Sequence, residues 1–269
     1  MKAEQAKKLA DEGLANLEQA LQRGNSESLT AYLAAMGRFH HYSFGNVMLI
    51  CSQKPDATHV AGFNTWKKFN RFVRKGEHGI VIIAPMLIKP KDDGAATSAD
   101  GEDRNILRFK AVYVFDVTQT DGEPLPEFAR VGGNPNGHTE RLKSFVEQQS
   151  VKLEYADDLG AARGVSTGGT IKLLTDLPPA EEFSTLVHEL AHEMLHRRDG
   201  EKRPSKTVRE TEAEAVAFVV SQAIGLDSGT AAVDYIRLYD GDSDTLAASL
   251  DRIQKTAAAI IEAITHDEQ

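Results

Sequence analysis

Apolar residues recur every three to four positions through Ala6, Leu9, Ala10, Leu14, Leu17 and Leu21, the period of one helix face. The spacing predicts a helix over residues 2–22, ended by Gly24. A second is expected after Ser26, through Leu29, Leu33 and Met36 to Gly37. The aromatic and apolar run Phe39–Cys51 keeps a helical drift until Pro55 closes it, and Phe63–Val73 reads as a further helix. The pattern then changes to Ile-, Val-, Tyr- and Phe-rich runs over 79–88 and 107–117, which read as strands. Between them lies KPKDDGAATSADGEDRN (89–105), small, polar and acidic, the composition of a mobile hairpin loop.

Residues 119–137 are dense in Gly and Pro, and we place a linker there, with a domain boundary near 130. Beyond it, 139–149 reads as a helix, and Val151–Tyr155 and Thr170–Leu174 read as short strands. Helices follow at about 179–198, 207–224, 229–239 and 244–264, the last capped by Ser243. The expected fold class is α+β: an α+β domain over 1–130, then a mostly helical domain with a small antiparallel sheet over 131–269.

The length, 269 residues, suits two domains, and one cysteine, Cys51, excludes an internal disulfide framework and fits a reducing cytoplasm. Met1–Leu21 has no apolar signal-like core, and the longest apolar run is about half a membrane span, so neither export nor a membrane is expected. The net charge of −9 argues against a nucleic-acid partner only if it is evenly spread. It is not. Residues 1–91 hold thirteen Lys/Arg against seven Asp/Glu, and the remainder eighteen against thirty-three.

The chemistry concentrates in His188-Glu189-Leu190-Ala191-His192, an HExxH. On a helix, residues four apart share a face, so both imidazoles can bind one metal ion. Glu189, about 100° round, can reach a water at the ion without being a ligand and act as its base. A third ligand is needed. The metzincin position is taken by Arg198, and His196 lies two turns beyond His188, so it reads as a packed or supporting histidine. From Ala213 to Ile224 the next helix is apolar with Glu214 as its lone charge, a costly placement unless the carboxylate is paired or binds metal. Glu214 is therefore the expected third ligand. Glu210, one turn earlier, is next in line or orients a ligand from behind, and a buried salt bridge from Glu214 to Arg209 or a neighbouring Arg is the bland alternative. A His₂Glu set suits Zn²⁺ and does not exclude Mn²⁺. The strand near Gly168–Leu174 is a place where an extended peptide substrate could pair.

Asn64–His78 interleaves Lys67, Lys68, Arg71, Arg74 and Lys75 with Trp66, Phe69 and Phe72. Basic groups neutralise phosphates and exposed aromatics stack on unpaired bases, so Trp66 and these five cations are candidate DNA contacts. The plain alternative is an amphipathic helix with core aromatics and solvated lysines.

These residues bring a family into view. YSFGNVMLI (42–50), the run from Gln53 to Met86, and VFDVTQTDGEPLP (114–126) resemble the single-stranded-DNA-binding domain of ArdC-type antirestriction proteins of mobile elements. TLVHELAHEMLH (185–196) and EAEAVAFVV (212–220) resemble their zincin-like metallopeptidase domain. The resemblance implies binding of single-stranded DNA, protection of incoming DNA from restriction, and hydrolysis of an unknown protein substrate. The C-terminal part is also similar to ImmA/IrrE-type metallopeptidases, in which the Glu of an EAxxF pattern completes the metal site; that pattern falls on Glu214 here. Two alternatives remain: a regulatory peptidase that cleaves a repressor, and a DNA-binding protector with a non-catalytic metal site.

Overall fold

The computed structural model describes residues 3–23, 27–88, 106–123, 135, 137–197, 204–226 and 243–265. The expected loop 89–105, most of the linker and the expected helix 229–239 lie outside them. The fold is α+β, with two compact units: residues 1–13 with 48–124, and 14–47 with 125–269. The division passes within two helices, α1 (Ala3–Gln22) and α3 (Phe44–Gln53).

In the first unit, β3 (Ile80–Ile88) and β4 (Ile106–Asp116) form a long antiparallel hairpin, and β1 (Val60–Gly62) pairs on the other edge of β4. Ala6 of α1, Leu49 of α3 and Val81 of β3 are its buried centre, with Leu9, Ala10, Ile83 and Ala111 packed around them. The free edge of β3 is partly closed by a side chain. Gln53 donates to the Val81 carbonyl at 2.9 Å and accepts from the Val81 amide at 3.0 Å, as a neighbouring strand would. Asp116, wholly buried, accepts from the amides of Thr58, His59 and Thr118 and shares a capping box with Gln119. These bonds fix the VFDVTQT turn and hold the Asp116 carboxyl below its ordinary pKa against the opposing pull of burial.

The run 63–73 departs from the expected single helix. α4 stops at Phe63–Lys68, Asn70 takes φ 54°, and β2 (Arg71–Val73) pairs antiparallel with β5 (Thr120–Gly122). The side chain of Arg71 decides this: its guanidinium donates to Thr120 Oγ1 and the Thr120 carbonyl, so tertiary bonding overrides helical period.

The second unit is built on helices. α2 (Glu27–Arg38), α6 (Pro179–His196), α7 (Lys206–Ala223) and α8 (Ser243–Thr265) bury Leu33, Met36, Phe183, Leu186, Val216, Val220, Leu250 and Ile260 among themselves, with α5 (His138–Gln148) against α8. The small sheet expected here is present with strand order β6 (Lys152–Ala156), β8 (Thr170–Leu174), β7 (Gly164–Ser166), and it is mixed: β6–β8 is parallel and β7–β8 antiparallel. β8 is therefore central, so the strand expected to offer its edge has none free, and the strand beside α6 at the sheet edge is β7. A Cβ at Gly164 would stand 2.8 Å from Cγ of Glu189, so only glycine lets β7 come this close to the helix.

No helix among the described residues is long and apolar enough to cross a membrane.

Candidate metal centre

α6 opens at Pro178 and Pro179 with Glu181 and Glu182 in its first turn, all favourable at a helix start. Its four-residue spacing brings His188 Nε2 to 3.1 Å from His192 Nε2. The third group comes from the first turn of α7, which Ser205 caps by accepting from the Val208 amide. Glu210 places Oε2 3.6 Å from His188 Nε2 and 3.4 Å from His192 Nε2. One ligand atom from each of the three lies within 4.8 Å of the others. Glu214 is elsewhere: its Oε2 is 3.3 Å from His188 Nδ1.

The geometry therefore exchanges the two expected carboxylate positions. Glu210 meets the paired Nε2 atoms, and Glu214 stands behind His188. The burial argument for Glu214 fails because its side chain is 40% exposed. The deeply buried acid of α7 is Glu212. Glu212 accepts from Ser249 Oγ and from Arg252 on α8, and its Oε2 faces His196 Nε2 at 3.7 Å. His196 is thus buried against Glu212. Burial holds its pKa down, to about 4, with the neighbouring His192 charge acting in the same direction.

Glu189 is buried beside these ligands in the wall of a cavity; burial raises its pKa against the opposing pull of His188, and the negative charge of Glu210 reinforces the rise. Burial disfavours charge on His188, yet the bond to Glu214 and the nearby carboxylates outweigh it and raise its pKa. His192 is lowered, first by burial and then by His188. A carboxylate at Nδ1 of His188 leaves Nε2 as the lone-pair nitrogen toward Glu210, the arrangement of a metal-binding imidazole. Two imidazole nitrogens and a carboxylate oxygen at these separations match ligand bonds of about 2.0–2.2 Å to one ion.

A further acid escaped the sequence reading. Glu193, nearly inaccessible, accepts from Ser166 Oγ and from the amides of Gly168 and Gly169 at 2.9 and 2.8 Å. Both glycines have positive φ, 71° and 103°, so the β7–β8 turn needs them and Glu193 ties that turn to α6. Its signal in the sequence was its place one residue after His192, on the inward side of an amphipathic helix. The cavity beneath, about 600 Å³, is walled by β7, this turn, α6 and the start of α7.

The expected DNA contacts separate into three groups. Trp66 is 2% exposed and donates Nε1–H to the Phe115 carbonyl at 2.8 Å, so its ring is core and cannot stack on a base. Arg71 is spent on β5, and Arg74 bonds Glu77 at 2.8 Å, Asp121 at 3.3 Å and the Thr118 carbonyl. Lys67, Lys68 and Lys75 are exposed, with Lys67 Nζ 4.9 Å over the Phe63 ring. The exposed aromatics of the first unit are Phe63, Phe69, Phe72, Phe109 and Tyr113. The last two, on β4, were missed; Phe109 stands between Arg108 and Lys110, which was the available signal, whereas Tyr113 lies between two valines and carried none.

Residues 3–115 match the family described as the N-terminal domain of anti-restriction factor ArdC. Two crystal structures of antirestriction ArdC protein from plasmid R388 share the fold at 18% identity, each covering 97% of this chain and 99% of the other. The metal-free form has a TM-score of 0.58 and the Mn(II)-bound form 0.56. An uncharacterized Bacillus anthracis protein, pXO2-81, is 24% identical over 97% of the chain. The chain spans 51% of that relative's length.

Proposed function

We propose that this chain, whose residues 3–115 match the N-terminal domain of anti-restriction factor ArdC and whose fold is that of the R388 protein, is an antirestriction protein that binds single-stranded DNA through its first unit and carries a metal-dependent hydrolase site, for a protein substrate, in its second. The observation that carries the hydrolase reading is the convergence of His188 Nε2, His192 Nε2 and Glu210 Oε2 within 4.8 Å at a cavity that also holds buried Glu189. His188, His192 and Glu210 would hold the ion, Zn²⁺ by its donor set or Mn²⁺, the ion bound in the R388 protein's structure. Bound there, it supplies a Lewis acid for a substrate carbonyl.

The chain's own residues do the rest. Glu214 fixes the tautomer of His188. Glu189, whose buried carboxyl has a raised pKa, takes the proton of the attacking water and returns it to the leaving amine. β7 presents its backbone at the cavity wall, where an extended peptide can lie. On the first unit, Lys67, Lys68 and Lys75 with the exposed rings of Phe63, Phe69 and Phe72 are the surface we assign to single-stranded DNA.

Metal analysis of the purified protein tests the centre. The wild type is expected to retain about one ion per chain, and Glu210→Ala to lose it. Glu189→Gln should keep the ion and lose hydrolysis of a protein substrate. An ion retained in Glu210→Ala but lost from Glu214→Ala would return the ligand to Glu214, and retention of cleavage by Glu189→Gln would remove the assigned base.

A further inference from the structure

Three cations share the cavity wall with the catalytic candidates: Arg197 at the end of α6, and Lys206 and Arg209 in the first turn of α7. Like charges brought to one concavity repel one another, so a fold keeps them there at a cost unless an anion offsets it. Among the described residues the acids of this wall, Glu189, Glu193 and Glu210, do so only in part. Glu193 is bonded by Ser166 and two backbone amides and meets Arg197 only as a long ion pair, its Oε2 3.7 Å from Nη1. Glu210 is drawn to the two histidines. Among the described residues Arg209 Nε is buried with no hydrogen-bond partner. Burial of an unpaired guanidinium N–H is costly, and a ligand oxygen would relieve it. Arg197 reaches over the β7–β8 turn, where its Nη2 is 3.3 Å from the position a Cβ on Gly169 would take.

We propose that Arg197, Lys206 and Arg209 form an anion subsite that selects peptides bearing a carboxylate close to the scissile bond. The proposal rests on the hydrolase reading above and names the substrate class of that same site. The reach can be bounded. Arg197 follows His192 by five residues, roughly 7.5 Å along the helix axis at ~1.5 Å per residue. An extended peptide advances about 3.3 Å per residue, so the carboxylate belongs about two residues from the bond. Arg provides the paired donors that a carboxylate accepts, and the cavity, at about 600 Å³, has the size of a site for a short peptide segment. A carboxylate can come from an internal Asp or Glu side chain or from the substrate's own C-terminus.

Peptide hydroxamates, which grip a bound ion without being cleaved, separate these cases on the full-length Zn²⁺-loaded protein. Three otherwise matched peptides are compared by calorimetric Kd: one with Asp two residues from the hydroxamate and an amidated C-terminus, one with Asn there, and one with Asn and a free C-terminal carboxylate at that distance. The expected result is about tenfold tighter binding of one or both carboxylate peptides than of the amide, with whichever binds tighter identifying the source. The advantage should fall to less than threefold in Arg209→Gln and in Lys206→Gln, each checked for its metal content. Equal binding of all three peptides by the wild type overturns the subsite while leaving the metal site standing, as does an advantage that survives when Lys206→Gln and Arg209→Gln are combined. Failure of every hydroxamate to bind the metal-loaded protein overturns the hydrolase reading and the subsite with it.

Discussion

His188 is held from two sides, and the two carboxylates have different tasks. Glu210 Oε2 lies within 3.6 Å of both Nε2 atoms, whereas Glu214 Oε2 stands 3.3 Å from Nδ1. Glu214→Gln is therefore expected to keep the ion with affinity lowered about 10- to 100-fold, the usual cost of losing a partner behind a ligating imidazole. Chelator competition measures this, and an unchanged affinity would mean that Glu214 does not orient the ring. His196 makes a separate, pH-dependent contribution. The folded protein keeps it neutral to about pH 4, while an unfolded chain protonates near 6.5. Between those values the unfolded state binds a proton that the folded state does not, so stability from this residue is complete above about pH 6.5 and is lost as the pH falls toward 4. At pH 5 the loss is about 2 kcal/mol relative to neutral pH. In the presence of chelator, the Tm difference between wild type and His196→Gln should shift against the wild type by several degrees from pH 7.5 to pH 5. A difference that does not change with pH would place the proton elsewhere.

At the scale of elements, the centre depends on α6, α7 and the β7–β8 turn keeping register. Glu193 locks the turn by three hydrogen bonds, two of them to backbone amides. Glu193→Ala leaves those amides without their acceptor and should destabilise the protein by about 2–4 kcal/mol. Hydrogen exchange should quicken first at Gly168 and Gly169, and uniform quickening across the second unit would mean that the turn is not a local lock. α2 packs on α7 with equal closeness: a Cβ at Gly37 would stand 2.8 Å from the Val219 carbonyl oxygen, a backbone atom that cannot rotate away. Gly37→Ala should lower Tm clearly, and an unchanged Tm would show slack between these helices. This scale also explains what the sequence could reveal. His188, Glu189 and His192 were legible because their relation is internal to one helix. Glu210 and Glu214 are four residues apart on one face of α7, and which of them meets the histidines depends on how α7 slides along α6, which no local period encodes. Glu212 can be buried because Ser249 and Arg252, some forty residues downstream, bond its carboxylate, which no local pattern shows. Trp66 and the β2–β5 pair were misread for the same reason, since their partners Phe115 and Thr120 lie about fifty residues away.

For the whole molecule the net charge of −9 averages unlike parts, but the excess of bases in residues 1–91 is not all available to a ligand. Arg71 and the exposed Arg74 are committed to β5 and its flanks, which leaves Lys67, Lys68 and Lys75 as the exposed cations of the expected set outside these bonds. The compact units also forbid testing this on a fragment cut near residue 130, because residues 14–47 belong with 125–269. The full chain must be used, and salt dependence then distinguishes charge from stacking. Each phosphate neutralised on a single strand contributes about 0.7 to the slope of log K against log salt. Replacing Lys67, Lys68 and Lys75 together by Ala should reduce that slope by about 2 for an oligo-dT ligand. Phe72→Ala, which removes an exposed ring and no charge, should weaken binding by about 1–3 kcal/mol and leave the slope alone. Trp66→Phe should do neither at matched folded fraction, and should instead lower Tm, because its indole N–H is bonded inside the unit. If the triple lysine variant keeps the wild-type slope, the phosphates are met by other cations and the assigned surface is wrong.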